Sequence, residues 1–268
     1  MKIGGVEFDE KHVHVMGILN VTPDSFSDGG KFNNMDAALL HAEQMINEGA
    51  EIIDIGGEST RPGFIAVSED EEKERVVPII EKIKSRFNIP ISIDTYKAGV
   101  AKEAVAAGAD LVNDVWGLMK EEKMGEVIAK AGVPCCLMHN RTAHDYTDFA
   151  SDYRKDIAAI IERATKAGIE RDKIILDPGV GFAKTVEENL YVINHLDILK
   201  EFELPYLLGC SRKSVIGNTL NLPVDERLEG TLVTTVYAVL KGAMFVRVHD
   251  VKENLRAVRM AEAINAGI

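Results

Sequence analysis

Three cysteines, one tryptophan and eight prolines are all that this chain of 268 residues holds of the types that most often staple, anchor or interrupt a fold. Cys135 and Cys136 are adjacent within an apolar run, so no disulfide framework forms, and Cys210 has no identifiable base to make it a nucleophile. No apolar run approaches the length of a membrane span. The first residues lack a basic-then-apolar targeting pattern. Basic residues are also in deficit: 31 Lys and Arg face 43 Asp and Glu, and the net charge of −12 argues against nucleic acid or an anionic membrane as partner. No Pro/Ser linker or low-complexity stretch divides the chain, so residues 1–268 are expected to form one domain of a cytoplasmic enzyme.

What the chain has is a repeated unit. Residues 16–30, M-G-I-L-N-V-T-P-D-S-F-S-D-G-G, run as an apolar strand to Asn20 and empty into a loop of hydroxyls, carboxylates and glycine before a helix begins. The step recurs where 52–55 run into 56–63, 89–93 into Asp94 and Thr95, and 110–112 into Asn113 and Asp114. It recurs again where 133–137 run into 138–141, 173–176 into 177–182, 204–208 into 209–214, and 243–246 into 247–250. These strands show no alternation and read as buried on both faces. Segments of helical spacing separate them, among them 36–47, 70–87 (with Pro78 expected to kink it), 148–166, 185–199 and 227–240.

Eight strand–helix units in this length predict the α/β class and a (β/α)₈ TIM barrel, with a doubly wound open sheet as the alternative. Residues 2–8 stand outside the count and read as a short N-terminal β-hairpin with a Gly-Gly turn that covers the bottom of the barrel.

Candidate chemistry gathers at the strand ends. Arg61, Arg212, Lys213, Arg247 and His249 would make a positive patch inside an acidic chain, suited to a small anionic substrate. Asp94 and Asp177 could each merely cap the helix that follows, and Asn113 could shape a turn. Taken together they end three strands of one barrel and converge on its axis. Two carboxylates and an amide suit a flat heterocycle with adjacent N–H donors, with Lys213 facing its carbonyl. Other motifs carry less. Gly179-Val180-Gly181 lacks the third glycine of a dinucleotide loop, and residues 209–214 lack the second glycine of a phosphate loop. His12 and His14 lie at the beginning of a strand, the stability face, rather than where metal ligands belong. Glu69-Asp70-Glu71-Glu72 reads as a solvated helix start.

The motifs in order resemble those of the dihydropteroate synthases over essentially the whole chain. They are residues 16–30, D-I-G-G-E-S-T-R-P-G (54–63), S-I-D-T (92–95), N-D (113–114) and L-M-H (137–139). D-P-G-V-G-F-A-K (177–184), S-R-K-S (211–214) and R-V-H-D-V (247–251) complete the set. The resemblance implies a barrel that joins 6-hydroxymethyl-7,8-dihydropterin diphosphate to 4-aminobenzoate, giving 7,8-dihydropteroate and diphosphate. This is a folate-biosynthesis step and a sulfonamide target.

It further implies that Asp94, Asn113, Asp177 and Lys213 hold the pterin, with Met138 and Phe182 packing near the ring. Asn20, Arg61, Arg247 and His249 would take the diphosphate, Asn20 through Mg²⁺. Phe26, Thr60, Pro62 and Ser211 would line the 4-aminobenzoate pocket, and residues 22–30 would form a lid with Phe26 and Asp28 closing over it. Asp94, Lys213 and Arg61 would carry catalysis by dissociative displacement, within a homodimer. A pterin-binding methyltransferase domain and a non-catalytic pterin binder are the alternatives; the first would not need residues 60–63 and 211–213, and the second would lose the diphosphate cluster.

Overall fold

Short strands apolar on both faces are satisfied when helices cover the outside of a parallel sheet and the sheet closes on its own inner face. The structure, a computed structural model, describes residues 1–21, 31–58 and 66–267, except the side chains of residues 31–34. A hairpin of β1 (Lys2–Ile3) and β2 (Val6–Glu7) precedes β3 (His14–Asn20), α1 (Lys31–Glu48), β4 (Ile52–Gly56), α2 (Glu69–Arg86), β5 (Ile91–Asp94) and α3 (Ala98–Ala106). There follow β6 (Leu111–Asp114), α4 (Lys123–Ala131), β7 (Cys135–Met138), α5 (Phe149–Lys166), β8 (Ile174–Asp177), α6 (Val186–Asn194) and α7 (Asp197–Lys200). The chain continues with β9 (Leu207–Leu208), α8 (Ser214–Leu220), α9 (Leu228–Lys241), β10 (Phe245–Val248) and α10 (Val251–Asn265).

Eight parallel strands pair in the order β8-β7-β6-β5-β4-β3-β10-β9, and a parallel bridge between Leu176 and Tyr206 joins the two ends. The fold is a (β/α)₈ barrel. Outward residues such as Val15, Leu19, Ile53, Ile55, Val112 and Leu176 pack under the helices in the main core. Inward residues separate into two levels. At the lower level Met16, Ile52, Leu111, Cys136, Ile175, Leu207 and Phe245 form a second apolar cluster, which Ile3 and Phe8 of the N-terminal segment complete. The Phe8 ring lies 5.6 Å from that of Phe245, so the segment plugs the lower end as the sequence predicts. At the upper level the inward residues turn polar.

Several expectations need correction. The strands extend past the apolar runs: Asp94, Asn113 and Asp177 lie at strand ends as expected, and Met138 and Arg247 are strand residues too. The ladder satisfies their backbone whatever their side chains prefer, with Asp94 paired to Gly56 and Asn113, and Met138 to Asp177. The helix read over 185–199 breaks after Asn194 into α6 and α7, with His195 as the α6 cap. A helix, α8, starts directly after Lys213 where a loop was expected. Helix α2 runs from Glu69 to Arg86 with Pro78 inside it, close to the span expected. Its acidic first turn is not wholly solvated: Glu72 is buried and paired with Lys97, which also donates to Glu58 at 2.7 Å.

Candidate active site

Alternation along the strands aims polar side chains inward at most upper positions, Gly56 and Met138 being exceptions. Asn20, Gly56, Asp94 and Asn113 stand side by side in register across four strands. Gly56 leaves a gap in this belt, since a Cβ there would lie 3.7 Å from Asn20 Oδ1 and 3.8 Å from Asp94 Oδ2. Asn20 is half-buried at the rim, whereas Asp94 and Asn113 are buried.

Arg247, from β10, reaches across the barrel. Its Nε donates to Asp54 at 2.6 Å and its Nη2 to Asp94 at 2.6 Å. Asn113 Nδ2 donates to the same Asp54 oxygen at 3.4 Å. Burial pushes the Asp94 carboxyl up to about 7 against the pull of Arg247, and the neighbouring Asp54 adds to the rise. One oxygen of Asp54, one of Asp94 and the Ser92 hydroxyl are buried with no hydrogen-bond partner among the described residues. Buried polar atoms without a partner are rare, and these three gather on the Asp94 wall of the barrel.

On the other wall Asp177 Oδ1 accepts from the Gly179 amide at 2.7 Å. Burial raises the Asp177 pKa, which Lys213 opposes. Lys213 donates to Val180 O at 2.6 Å and sits 4.9 Å from the centre of the Phe182 ring. Burial lowers the Lys213 ammonium while Asp177 and Asp94 favour its charge. Met138 is buried beside Asp177 in the ladder.

Arg212 has φ of 56°, a conformation that costs a non-glycine residue roughly 1–2 kcal/mol. It is held there from several sides: its amide donates to Thr231 Oγ1 at 3.1 Å, its carbonyl accepts from Arg227 at 3.0 Å, and its guanidinium grips Asp250. This bend aims Ser211 and Lys213 to their places. Ser211 Oγ lies 3.0 Å from His249 Nδ1 and accepts from the His249 amide at 3.2 Å.

The positive patch expected from the sequence is therefore not an open one. Among the described residues Arg212 turns to Asp250, and Arg247 is matched by two carboxylates. Arg61, Thr60, Pro62, Phe26 and Asp28 lie outside the described residues, so the lid and most of the expected 4-aminobenzoate pocket lie there too. Ser211 is placed beside His249 rather than apart from it.

Asp54 was missed by sequence reasoning. Its signal is one charge inside Ile52-Ile53-Asp54-Ile55, a strand with no exposed face to put it on. Behind β7 and β8 a second buried network joins His139 to Asp156 at 3.0 Å and to Lys184 at 2.8 Å. Burial pulls His139 down to about 4 and Lys184 down to about 7, with Asp177 opposing the fall of Lys184. Cys210 is buried, and its thiol is pushed up to about 11, which keeps it protonated.

The opposite end holds Asp9, His12 and His14 close together. His14 already has both ring nitrogens engaged, with Glu51 at 2.8 Å and Asp9 O at 3.0 Å, which fits the structural role expected of that face.

Residues 16–249 match the family model described as pterin binding enzyme. A dihydropteroate synthase of Clostridium beijerinckii is 57% identical over 98% of this chain and 99% of its own length. A Clostridium difficile dihydropteroate synthase crystallised in the presence of pteroic acid superposes with a TM-score of 0.93 at 52% identity, covering 97% of this chain and 98% of that one. The Xanthomonas albilineans dihydropteroate synthase with 4-aminobenzoic acid gives a TM-score of 0.94 at 39% identity, covering 98% and 97%. By family match, sequence identity and superposition the chain belongs to the dihydropteroate synthase family of pterin-binding enzymes.

Proposed function

We propose that this chain joins 6-hydroxymethyl-7,8-dihydropterin diphosphate to 4-aminobenzoate, releasing diphosphate and 7,8-dihydropteroate. The observation that carries this reading is the convergence of the buried Asp94, Asn113 and Asp177 and the half-buried Lys213 on the upper level of the barrel. Carboxylate and amide oxygens take the N–H edge of the pterin, Lys213 takes its carbonyl, and Met138 and Phe182 pack against the ring. The electron pair of the breaking C–O bond leaves with the diphosphate. The exocyclic cation left behind is stabilised by the pterin and by the anionic field of Asp94 and Asp177. The arylamine nitrogen then forms the new C–N bond and gives up its proton to water or to the released diphosphate.

Arg61, Arg247 and His249 complement the diphosphate, and Phe26, Thr60, Pro62 and Ser211 the 4-aminobenzoate. The Asn20 amide is a hard oxygen donor at the rim, the type that Mg²⁺ takes together with phosphate oxygens. When bound, the ion neutralises charge on the departing diphosphate. No helix among the described residues is long and apolar enough to cross a membrane, which is compatible with the cytoplasmic location proposed here for a single-domain chain.

A homodimer is part of the proposal. Val233, Tyr237 and Leu240 on one face of α9, and Met260 and Ile264 on the neighbouring α10, are all more than 40% exposed. Light scattering on the purified chain checks it, and a monomer at micromolar concentration would remove it. The function is tested by incubating the chain with the pterin diphosphate, Mg²⁺ and labelled 4-aminobenzoate. Labelled dihydropteroate is expected, and its absence while the pterin diphosphate still binds would falsify the reading.

A further inference from the structure

We propose that Lys184 is the positioning residue of the pterin pocket: its ammonium ties the turn after β8 to the end of β7, and that tie sets the Asp177 carboxylate and the Phe182 ring. The proposal rests on the pterin reading of the pocket given above.

The turn from Pro178 to Lys184 has no regular structure and is buried over Pro178–Val180 and half-buried from Gly181 on, so most of its backbone groups need partners from elsewhere. Tyr153 donates to Pro178 O at 3.5 Å, Lys213 to Val180 O at 2.6 Å, and the Gly181 amide donates to Asn189 Oδ1 at 2.6 Å. The carbonyls at the two ends of the bend, Gly179 and Phe182, both accept from Lys184 Nζ, at 2.9 and 3.1 Å. Burial lowers the Lys184 pKa, but the three acceptors around Nζ match the three protons of the ammonium form. The third goes to His139 Nδ1 at 2.8 Å. With Nδ1 accepting, the ring proton resides on Nε2 and is donated to Asp156, which Arg141 also grips. The tie therefore runs from the turn, through Lys184 and His139, to α5.

The turn has one backbone hydrogen bond of its own, from the Phe182 amide to Gly179 O at 3.2 Å, and it carries strain besides. Ala183 has φ of 46°, and a Cβ on Gly179 would lie 1.8 Å from the His139 carbonyl oxygen. Strained backbone persists only where its surroundings over-determine it. Both outputs of the turn face the pocket. The Gly179 amide that fixes Asp177 Oδ1 belongs to the residue whose carbonyl Lys184 holds. The Phe182 ring that underlies the Lys213 ammonium belongs to the other.

The test uses the full chain carrying Lys184→Met, which keeps the methylene packing and removes the three donors. Binding of 6-hydroxymethyl-7,8-dihydropterin diphosphate is followed by calorimetry, and KM is measured for each substrate, with Asp177→Asn as reference. We expect the pterin diphosphate KM and Kd to rise roughly tenfold or more. The 4-aminobenzoate KM should stay within about twofold, because Lys184 acts on the pterin wall alone. A folded variant with unchanged pterin binding overturns the proposal, as does an equal rise in both KM values. If Lys184→Met does not fold, Lys184→Arg carries the same expectation, since a planar fork does not reproduce the three-way ammonium. If neither folds, Lys184 serves the whole fold and the proposal falls. Should Asp177→Asn bind the pterin diphosphate as tightly as the unaltered chain, the pterin reading falls and this proposal with it. Loss in Asp177→Asn with retention in Lys184→Met overturns the proposal alone.

Discussion

Arg247 and Asp94 meet inside the barrel, Nη2 to carboxylate oxygen at 2.6 Å, and the same guanidinium holds Asp54 through Nε. One cation thus balances two buried carboxylates. Removing one partner of such a group leaves uncompensated buried charge, at about 3–5 kcal/mol.

Arg247→Ala should therefore lose about 3–5 kcal/mol of stability in urea titration, together with turnover. Adding Asp54→Asn removes one of the stranded charges and should return part of the stability but none of the turnover. If Arg247→Ala alone unfolds at the original midpoint, the ion pairs contribute nothing to the fold.

Asp94 gives a pH dependence of a stated sign. Its carboxyl is pushed up to about 7 by burial, so below that pH the free chain carries it protonated. A protonated oxygen is a poorer acceptor for the N–H edge of a pterin. The kcat/KM for the pterin diphosphate, which reports the free enzyme, should rise with pH through the neutral range. Asp94→Asn should remove that limb along with nearly all activity, measured as labelled dihydropteroate formed.

His139 acts on stability in the acid range. Burial pulls it down to about 4 in the fold, while in the unfolded chain it titrates near 6.5. Between these values the unfolded state binds a proton that the native state refuses. The contribution is complete above about pH 6.5 and is lost as pH falls through about 4, a swing of about 3 kcal/mol. Urea midpoints at pH 7 and pH 4.5 should differ less in His139→Gln than in the unaltered chain. Equal differences would show that other groups control the acid limb.

Two glycines of positive φ separate strain from collision. Gly5, in the N-terminal hairpin, has φ of 85° and open space where a Cβ would stand. Gly5→Ala should cost only the backbone term, about 1 kcal/mol. Gly179 has φ of 71° and meets the His139 carbonyl at 1.8 Å from its would-be Cβ. Gly179→Ala should cost several times more, or fail to accumulate as folded protein. Comparable melting temperatures for the two variants would contradict the close approach.

The barrel itself was readable because its signal is local and repeated. Eight apolar runs each end in polar residues, and Asp94, Asn113 and Asp177 stand out at those ends. Asp54 did not, because a charge within Ile52-Ile53-Asp54-Ile55 looks like an interruption until the strand is known to have an interior face. Glu72 reads as solvated because Asp70 and Glu71 beside it are exposed, and only the packing of α2 turns it toward Lys97. The bond from Arg247 to Asp54 spans 193 residues, and no spacing rule reaches that far. Helix α8 was missed because Ser214–Leu220 is too short to show a full amphipathic pattern.

The plug formed by Ile3 and Phe8 makes the barrel a cul-de-sac. Whatever rests against Asp54 and Asp94 must arrive and depart by the same door, at the ends of the strands. The sealed end can then change its packing to suit the temperature at which the chain works, while the open end keeps its chemistry.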